Sequence, residues 1–165
     1  MGYKVTWEES PLHGVPEGGD DKVFVTFEDL EVYRVAREFR KAMYAAARAL
    51  PDFEKYGLCS QIRRAAVSLT NNIAEGHGRF HYPDQIRFIL HSRGSLEELV
   101  DDLNVCLDEK YIGPDEIATL KEKARSVLLL INGYLRYLRK HSSESVREAE
   151  ESYSDDEDRF AALPL

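Results

Sequence analysis

Apolar residues recur every three or four positions over four long stretches of the chain, and this spacing restricts the fold more than any other feature. It places the apolar side chains of each stretch on one face of an α-helix. Thr26 and Asp29 have the spacing of a capping box, which starts the first helix near residue 27. The four apolar stripes are Val32, Ala36, Phe39, Met43, Ala46 and Leu50; Leu58, Ile62, Ala66, Leu69 and Ile73; Ile86, Ile89, Leu96, Val100, Leu103 and Leu107; and Ile117, Leu120, Ala124, Val127, Ile131 and Leu138.

Prolines separate the four helices. Pro51 ends the first helix, and Pro83 and Pro114 each suit the first turn of the helix that follows, where a missing N–H costs no hydrogen bond. Short connections between long amphipathic helices favour antiparallel neighbours. The sequence therefore predicts an all-α fold, an antiparallel up-and-down four-helix bundle over residues 26–141.

The net charge of −8 is unevenly distributed along the chain. Residues 142–165 contain eight acidic and two basic residues, and residues 1–24 contain five acidic and two basic residues. Residues 25–141 contain 18 basic and 17 acidic residues, so they are nearly neutral. We therefore expect an extended acidic segment over residues 1–25 and a disordered acidic tail over residues 142–165, on either side of the bundle.

The chain has no sequence feature of a membrane or secreted protein. No apolar run approaches the roughly 20 residues that span a bilayer. The first residues, MGYKVTWEESPLHG, lack the apolar middle of a signal peptide. We expect a cytoplasmic protein that does not contact a membrane.

Known catalytic and metal-binding motifs are absent from the sequence. It contains no Glu-x-x-His, H-E-x-x-H, G-x-x-x-x-G-K or G-x-S-x-G. His77 and His81 lie four residues apart but have no third ligand nearby, and Cys59 and Cys106 are expected to be two separate buried thiols. The carboxylates expected on a solvated outer face are Glu97, Glu98, Asp101 and Asp102. We therefore expect a protein that is not an enzyme, with no catalytic residue, metal or cofactor.

A polar stripe runs beside the apolar stripe of the second helix. The third helix carries polar and small residues in RGSLEEL that could meet it. We interpret these residues as a structural network that fixes how helices or subunits dock, in preference to a catalytic site, because unpaired buried polar groups are costly. Its predicted members are Gln61, Ser68, Asn72, Glu75, Gly76, Gly78, Arg79, Gly94, Ser95 and Glu98.

The fourth helix is apolar on more than one side. Leu129 and Leu130 point away from the Val127–Ile131 stripe, and Tyr134 and Tyr137 add aromatic surface. We favour a self-association surface formed by these four residues, Leu129, Leu130, Tyr134 and Tyr137. The alternative is a broad core with a few exposed leucines.

Two helices carry basic residues opposite their apolar stripes, in sectors suited to a phosphate backbone. The members of these two basic stripes are Arg34, Arg37, Lys41 and Arg48 on the first helix and Arg125, Arg136, Arg139 and Lys140 on the fourth, with Lys121 at the edge. Ordinary surface charge, balanced by Glu31 and Glu38, explains the same pattern. Both interpretations stay open at this point.

Three stretches resemble a known family. QIRRAAVSLTNNIAEGHGR (61–79) and IRFILHSRGSLEELVDDLNV (86–105) resemble two blocks of the bacterial four-helix-bundle proteins related to the ribosomal-RNA intervening-sequence proteins. FEDLEVYRVAREF (27–39) resembles the family's opening helix. The sequence departs from the family pattern in two features. Thr70 stands where the family commonly has a proline, which implies a straighter helix. The chain is also acidic overall, whereas the family's accessory proteins are usually basic.

The resemblance also implies a function. The family includes the accessory variability determinant of diversity-generating retroelements, which implies a homopentameric barrel that binds nucleic acid and partners a reverse transcriptase. We therefore expect a homo-oligomeric adaptor that binds RNA, an RNA–DNA hybrid or a polymerase-type protein. The alternative is a protein-only scaffold that recruits a basic partner through its acidic termini.

Overall fold

The computed structural model describes the backbone of residues 26–161 and the side chains of residues 26–143. This part of the chain forms four α-helices: α1 Glu31–Ala49, α2 Leu58–His77, α3 Tyr82–Asp108 and α4 Pro114–Ala161. Two short 3-10 turns, Phe27–Asp29 and Asp52–Tyr56, precede α1 and α2. The described residues contain no β-strand. Residues 1–25, where we predicted an extended acidic segment, lie outside the described part.

The predicted start signals are present, with one shift. Thr26 and Asp29 form the capping box, but they cap the 3-10 turn at Phe27–Asp29, and α1 begins only at Glu31. The turn ends because the extended backbone of Leu30 interrupts the helical geometry. Pro83 lies in the first turn of α3 and Pro114 is the first residue of α4, as predicted.

The core consists of the predicted apolar stripes. All stripe residues of α1, α2 and α4, with Leu50 just after α1, are buried. On α3, the residues Ile86, Val100 and Leu107 are only partly buried against the core. Burial of one leucine or isoleucine side chain contributes about 1.5–3 kcal/mol, so these four stripes together hold the helices in place.

The helices pack in cyclic order. α1 contacts α2, α2 contacts α3, α3 contacts α4, and α4 returns to α1. α1 and α3 therefore lie diagonally opposite each other, as do α2 and α4. The predicted all-α four-helix bundle is confirmed for the described residues. None of the helices in this part is long and apolar enough to cross a membrane.

Glu54 joins the two connections at one end of the bundle. Its Oε2 accepts a hydrogen bond from the backbone N–H of Leu58 at 2.9 Å, in the first turn of α2. Its Oε1 accepts from the hydroxyl of Tyr111 at 3.0 Å, in the link between α3 and α4. A single carboxylate thereby satisfies one free N–H at the start of a helix and fixes a neighbouring loop.

Both cysteines are buried, as predicted. The Sγ of Cys59 lies 3.1 Å from the carbonyl oxygen of Ala47 and donates a hydrogen bond to it. Burial is the main cause that raises the pKa of the Cys106 thiol to about 11. Both side chains are small core residues, and the raised pKa keeps the Cys106 thiol protonated and unreactive.

The fourth helix is longer than the sequence analysis expected. α4 continues to Ala161, whereas we ended the bundle at residue 141 and expected a disordered tail from residue 142. Residues 142–161 contain no glycine or proline and include five glutamates, which favour a helix. The helical backbone therefore includes most of the predicted acidic tail, and residues 162–165 lie outside the described part.

Candidate nucleic-acid interface

A small hydrogen-bond network joins α2 to α3. Ser68 Oγ and Ser95 Oγ lie 2.8 Å apart, and Asn72 Nδ2 donates to the carbonyl oxygen of Ser68 at 2.8 Å. Ser92 Oγ, fully buried, donates to the carbonyl oxygen of Leu69 at 2.7 Å. The structure therefore brings together three predicted members, Ser68, Asn72 and Ser95. It adds Ser92, which the sequence analysis missed although it lies three residues before Ser95.

Four other predicted members lie outside this network. Glu75 and Arg79 form an ion pair on the exposed face of α2. Gln61 and Glu98 are exposed, and neither forms a side-chain hydrogen bond to a described residue. These residues therefore belong to the surface of the bundle.

The three predicted glycines have different surroundings. A Cβ on Gly76 would lie 3.1 Å from Phe88 Cβ and 3.3 Å from the carbonyl oxygen of Gln85, so α2 and α3 approach closely there. A Cβ on Gly94 would have no neighbour within 4 Å, so the prediction that Gly94 permits close approach is wrong within the protomer. Gly78 ends α2, and a Cβ there would meet only carbonyl oxygens of its own turn.

The acidic residues of α3 are not all solvated. Asp102 is half-buried, and this burial, followed by the nearby Asp101 and Glu98 carboxylates, raises its pKa to about 6, although Arg64 lowers it. The other three carboxylates, Glu97, Glu98 and Asp101, are exposed as expected. Among residues 26–143, no three His, Cys, Asp or Glu side chains come together as a metal site would require.

The first basic stripe is on the outside of α1. Arg34 contacts Asp29 at 3.2 Å, and Lys41 contacts Glu38 at 2.6 Å. All four of these side chains are about half exposed or more, so the pairs are weak and both cations can exchange to another anion. Arg37 and Arg48 are also exposed.

Basic residues that the sequence analysis missed extend this stripe onto α2. Thr70 faces α1, because its Oγ1 accepts a hydrogen bond from Arg40 Nη1 at 2.8 Å. Arg63 precedes Thr70 by seven residues, about two helical turns, and so lies on the same side of α2. The surface defined here as the α1–α2 basic surface consists of Arg37, Arg40, Lys41, Arg48 and Arg63, whereas Arg64 lies near Asp102 of α3. The sequence contained one sign that α2 is basic, because Glu75 is the sole acidic residue of this helix.

The basic stripe of α4 lies on a different face. Arg125 lines a groove between α3 and α4 with Leu96, Glu97 and Val100. Lys123, on the other side of α4, lies close enough to lower the pKa of Glu38 on α1. The seam between α1 and α4 therefore separates the two basic stripes. The structure does not combine the two into one surface.

Positive and negative charges nearly cancel over residues 25–141 as a whole, but the packing of the helices places them on different sides of the bundle. α1 contains five basic and two acidic residues, and α2 contains two basic and one acidic residue. Residues 114–143 of α4 contain six basic and three acidic residues, whereas α3 contains two basic and six acidic residues. Because α1 and α3 are diagonal, the most basic short helix faces away from the acidic helix. The nearly neutral bundle thus has a basic side and an acidic side.

The residues predicted for self-association differ in exposure. Leu129 is 64% exposed on the outside of α4. Leu130 and Tyr137 are partly buried against the core. Tyr134 is only 1% exposed, so its assignment to an oligomer interface is wrong. It follows Val127 by seven residues and Ile131 by three, and so lies in the apolar stripe.

The fold and the charge distribution define a four-helix-bundle protein with separate basic and acidic surfaces. The family model described as 23S rRNA-intervening sequence protein matches residues 28–133, more than half of the chain. The chain belongs to this family, and the resemblance inferred from its sequence blocks is confirmed.

A solved structure has the same fold. It is the crystal structure of a protein with unknown function from the S23 ribosomal protein family of Bacteroides thetaiotaomicron. The TM-score is 0.60 at 18% sequence identity, over 64% of this chain and 95% of that chain. At this identity, the similarity concerns the fold alone. No curated protein matches the chain.

Proposed function

We propose that this protein is a non-enzymatic, homo-oligomeric adaptor that binds nucleic acid through its basic helices and serves as an accessory protein of a retroelement or related system. The observation that carries this proposal is the α1–α2 basic surface, which the bundle keeps away from the acidic α3. The name of the family, which refers to an intervening sequence of 23S rRNA, supports an RNA ligand.

The spacing on the α1–α2 basic surface suits a phosphate backbone. Arg37 and Arg48 lie eleven residues apart on α1, which corresponds to about 16 Å along a helix. This length spans several phosphates of one strand. Arg40 is half-buried and held by Thr70, so one guanidinium of the surface is ordered before a ligand binds. Five basic residues that contact phosphates would give a steep fall of affinity with salt, with a slope of about −4.5 for a duplex.

One exposed apolar residue of α4 supports the proposed self-association. Leu129 lies outside the core, in the same sector of α4 as Arg125 and Arg136. A homopentamer and a reverse-transcriptase partner are the parts of the proposal that follow from the family resemblance. The cytoplasm, where such partners occur, is the expected location.

Fluorescence anisotropy with structured RNA and with an RNA–DNA hybrid, over a series of salt concentrations, tests nucleic-acid binding. The double variant Arg37→Ala/Arg48→Ala should bind more weakly and lower the salt slope by about 2. Arg93→Ala/Lys110→Ala changes the net charge equally, but from α3 and the loop after it, and should leave the slope unchanged. The absence of binding by the wild-type protein at low salt would refute the proposal. Sedimentation equilibrium measures the number of subunits independently.

A protein-only scaffold that recruits a basic partner is the second candidate function, and one observation favours it. Glu97, Glu98, Asp101 and Asp102 make the C-terminal half of α3 an acidic surface, in addition to the acidic termini. If this function is correct, a cationic peptide should bind the protein in a salt-sensitive way, and Glu98→Gln/Asp101→Asn should weaken it. Nucleic-acid binding should then be absent.

A further inference from the structure

The link between α2 and α3 presents an aromatic ring almost entirely to solvent. Phe80 is 91% exposed, the most exposed large apolar residue in the described part of the chain. Its position is fixed by the short link, since Gln85 Nε2 donates to the carbonyl oxygen of Arg79 at 2.9 Å and the N–H of Asp84 donates to that of His81 at 3.1 Å. A ring this exposed is removed from water only when a ligand covers it, so Phe80 marks a candidate binding site.

Two arginines flank the link. The guanidinium of Arg79 lies 4.6 Å from the ring centroid of Phe88, and that of Arg87 lies 5.8 Å from the same centroid. A guanidinium that stacks on a ring can bind a phosphate through its N–H edge, and in Arg79 a phosphate would compete with Glu75 for one N–H of that edge. Glu75, which pairs with Arg79, and Asp84 are the acidic residues beside the link.

A basic segment of α4, Arg136–Lys140, lies beside the same link. His141 contacts Tyr82 at a ring distance of 6.2 Å and Tyr137 at 4.1 Å. These contacts place the turns of α4 around residue 141 next to the start of α3. The basic residues of those turns are Arg136, Arg139 and Lys140. The described side chains around the link thus combine an exposed ring with five cations and two carboxylates, and the start of α1 at the same end of the bundle adds Arg34, Glu28, Asp29 and Glu31.

We propose that this end of the bundle binds single-stranded nucleic acid, with an unpaired base stacked on Phe80 and phosphates bound by Arg79 and Arg87. Proteins that bind single strands combine aromatic rings for the bases with cations for the backbone. The cations beside the ring favour a polyanion as the partner. A base inside a duplex is already stacked on both sides, so Phe80 stabilises only an unpaired base. This inference rests on the proposed function and specifies the form of nucleic acid.

The test uses the full-length protein and fluorescence anisotropy with single-stranded RNA, single-stranded DNA and an RNA duplex of about 12 nucleotides per strand. Phe80→Ala should weaken binding of both single strands by about 5- to 100-fold, because stacking on one aromatic ring contributes that much. Binding of the duplex should not change. Phe80→Trp should restore the affinity. Its indole fluorescence, after subtraction of the wild-type signal from Trp7, should be quenched by single strands but not by the duplex.

Phe53→Ala is the matched control. Phe53 is 74% exposed at the opposite end of the bundle, but its chain neighbours are Asp52 and Glu54, which repel phosphate. This variant should bind all three ligands as the wild type does. Equal effects of Phe53→Ala and Phe80→Ala, or no effect of Phe80→Ala while the duplex still binds, would overturn the inference and leave the proposed function standing. If the wild type binds none of the three ligands, the proposed function fails as well.

Discussion

Replacement of Gly76 by alanine tests how closely α2 and α3 approach each other. The new Cβ would lie 3.1 Å from Phe88 Cβ and 3.3 Å from the carbonyl oxygen of Gln85. Both atoms are fixed to the backbone of α3, so the helix itself must shift, at a cost of about 1–3 kcal/mol. Alanine also gains about 1 kcal/mol over glycine inside a helix. The net expectation is a loss of roughly 0–2 kcal/mol in the free energy of unfolding.

Gly94→Ala provides the comparison with the same chemical change. Nothing lies within 4 Å of a Cβ at this position, so only the helix propensity changes. This variant should be more stable than the wild type by about 1 kcal/mol. The two variants should therefore differ by roughly 1–3 kcal/mol, at about 2–4 °C in Tm per kcal/mol for a chain of this size.

Urea unfolding followed by circular dichroism, at several protein concentrations, measures both variants. Equal stability of Gly76→Ala and Gly94→Ala would contradict the inferred close approach of α2 and α3 at Gly76. A loss of stability in Gly94→Ala that grows with protein concentration would show that another subunit packs on Gly94 in the oligomer.

Three further predictions concern single side chains. Thr70→Val removes the hydrogen-bond acceptor of Arg40 and should cost about 1–3 kcal/mol of unfolding free energy. Thr70→Ser should retain the hydrogen bond and most of the stability. Equal losses in the two variants would contradict the role of Thr70 as the acceptor for Arg40. Because the folded-state pKa of Asp102 is raised to about 6, its contribution to stability is present below its ordinary pKa and is lost as the pH rises toward 6. The wild type should therefore lose unfolding free energy between about pH 4 and pH 6, and Asp102→Asn should not show this loss. Identical pH profiles of the two proteins would refute the raised pKa of Asp102. Leu129→Asp should reduce the subunit number in sedimentation and lower the unfolding free energy only by the contribution of subunit association, whereas Tyr134→Ala should lose about 3–5 kcal/mol because it empties a core position. An oligomer unaffected by Leu129→Asp would exclude that face from the interface.

Local patterns allowed most of the fold to be predicted from the sequence. A residue such as Phe39 or Ile131 is buried because its spacing places it on the apolar face of its own helix, and that spacing is visible in the sequence. Tyr134 was misassigned although it lies in the stripe, because its aromatic surface was interpreted as an interface. The length of α4 was underestimated because acidic composition was given more weight than helix propensity.

The candidate site was less predictable because it depends on which helices are neighbours. The basic stripe of α1 could be predicted, but its extension through Arg40 and Arg63 depends on the contact between α1 and α2 at Thr70. Gly76 and Gly94 look alike in the sequence, yet only Gly76 lies against the neighbouring helix.

The sequence by itself determined four amphipathic helices, their order and their core faces, because helical periodicity is a local property of the chain. Residues 25–141 are nearly neutral in total, and although the sequence shows that α1 is basic and α3 acidic, it did not determine how these two helices lie relative to each other. Only the packing of the bundle decided that α1 and the acidic α3 lie diagonally opposite. Electrostatic potential depends on distances in space, and the tertiary structure sets these distances for residues far apart in the chain.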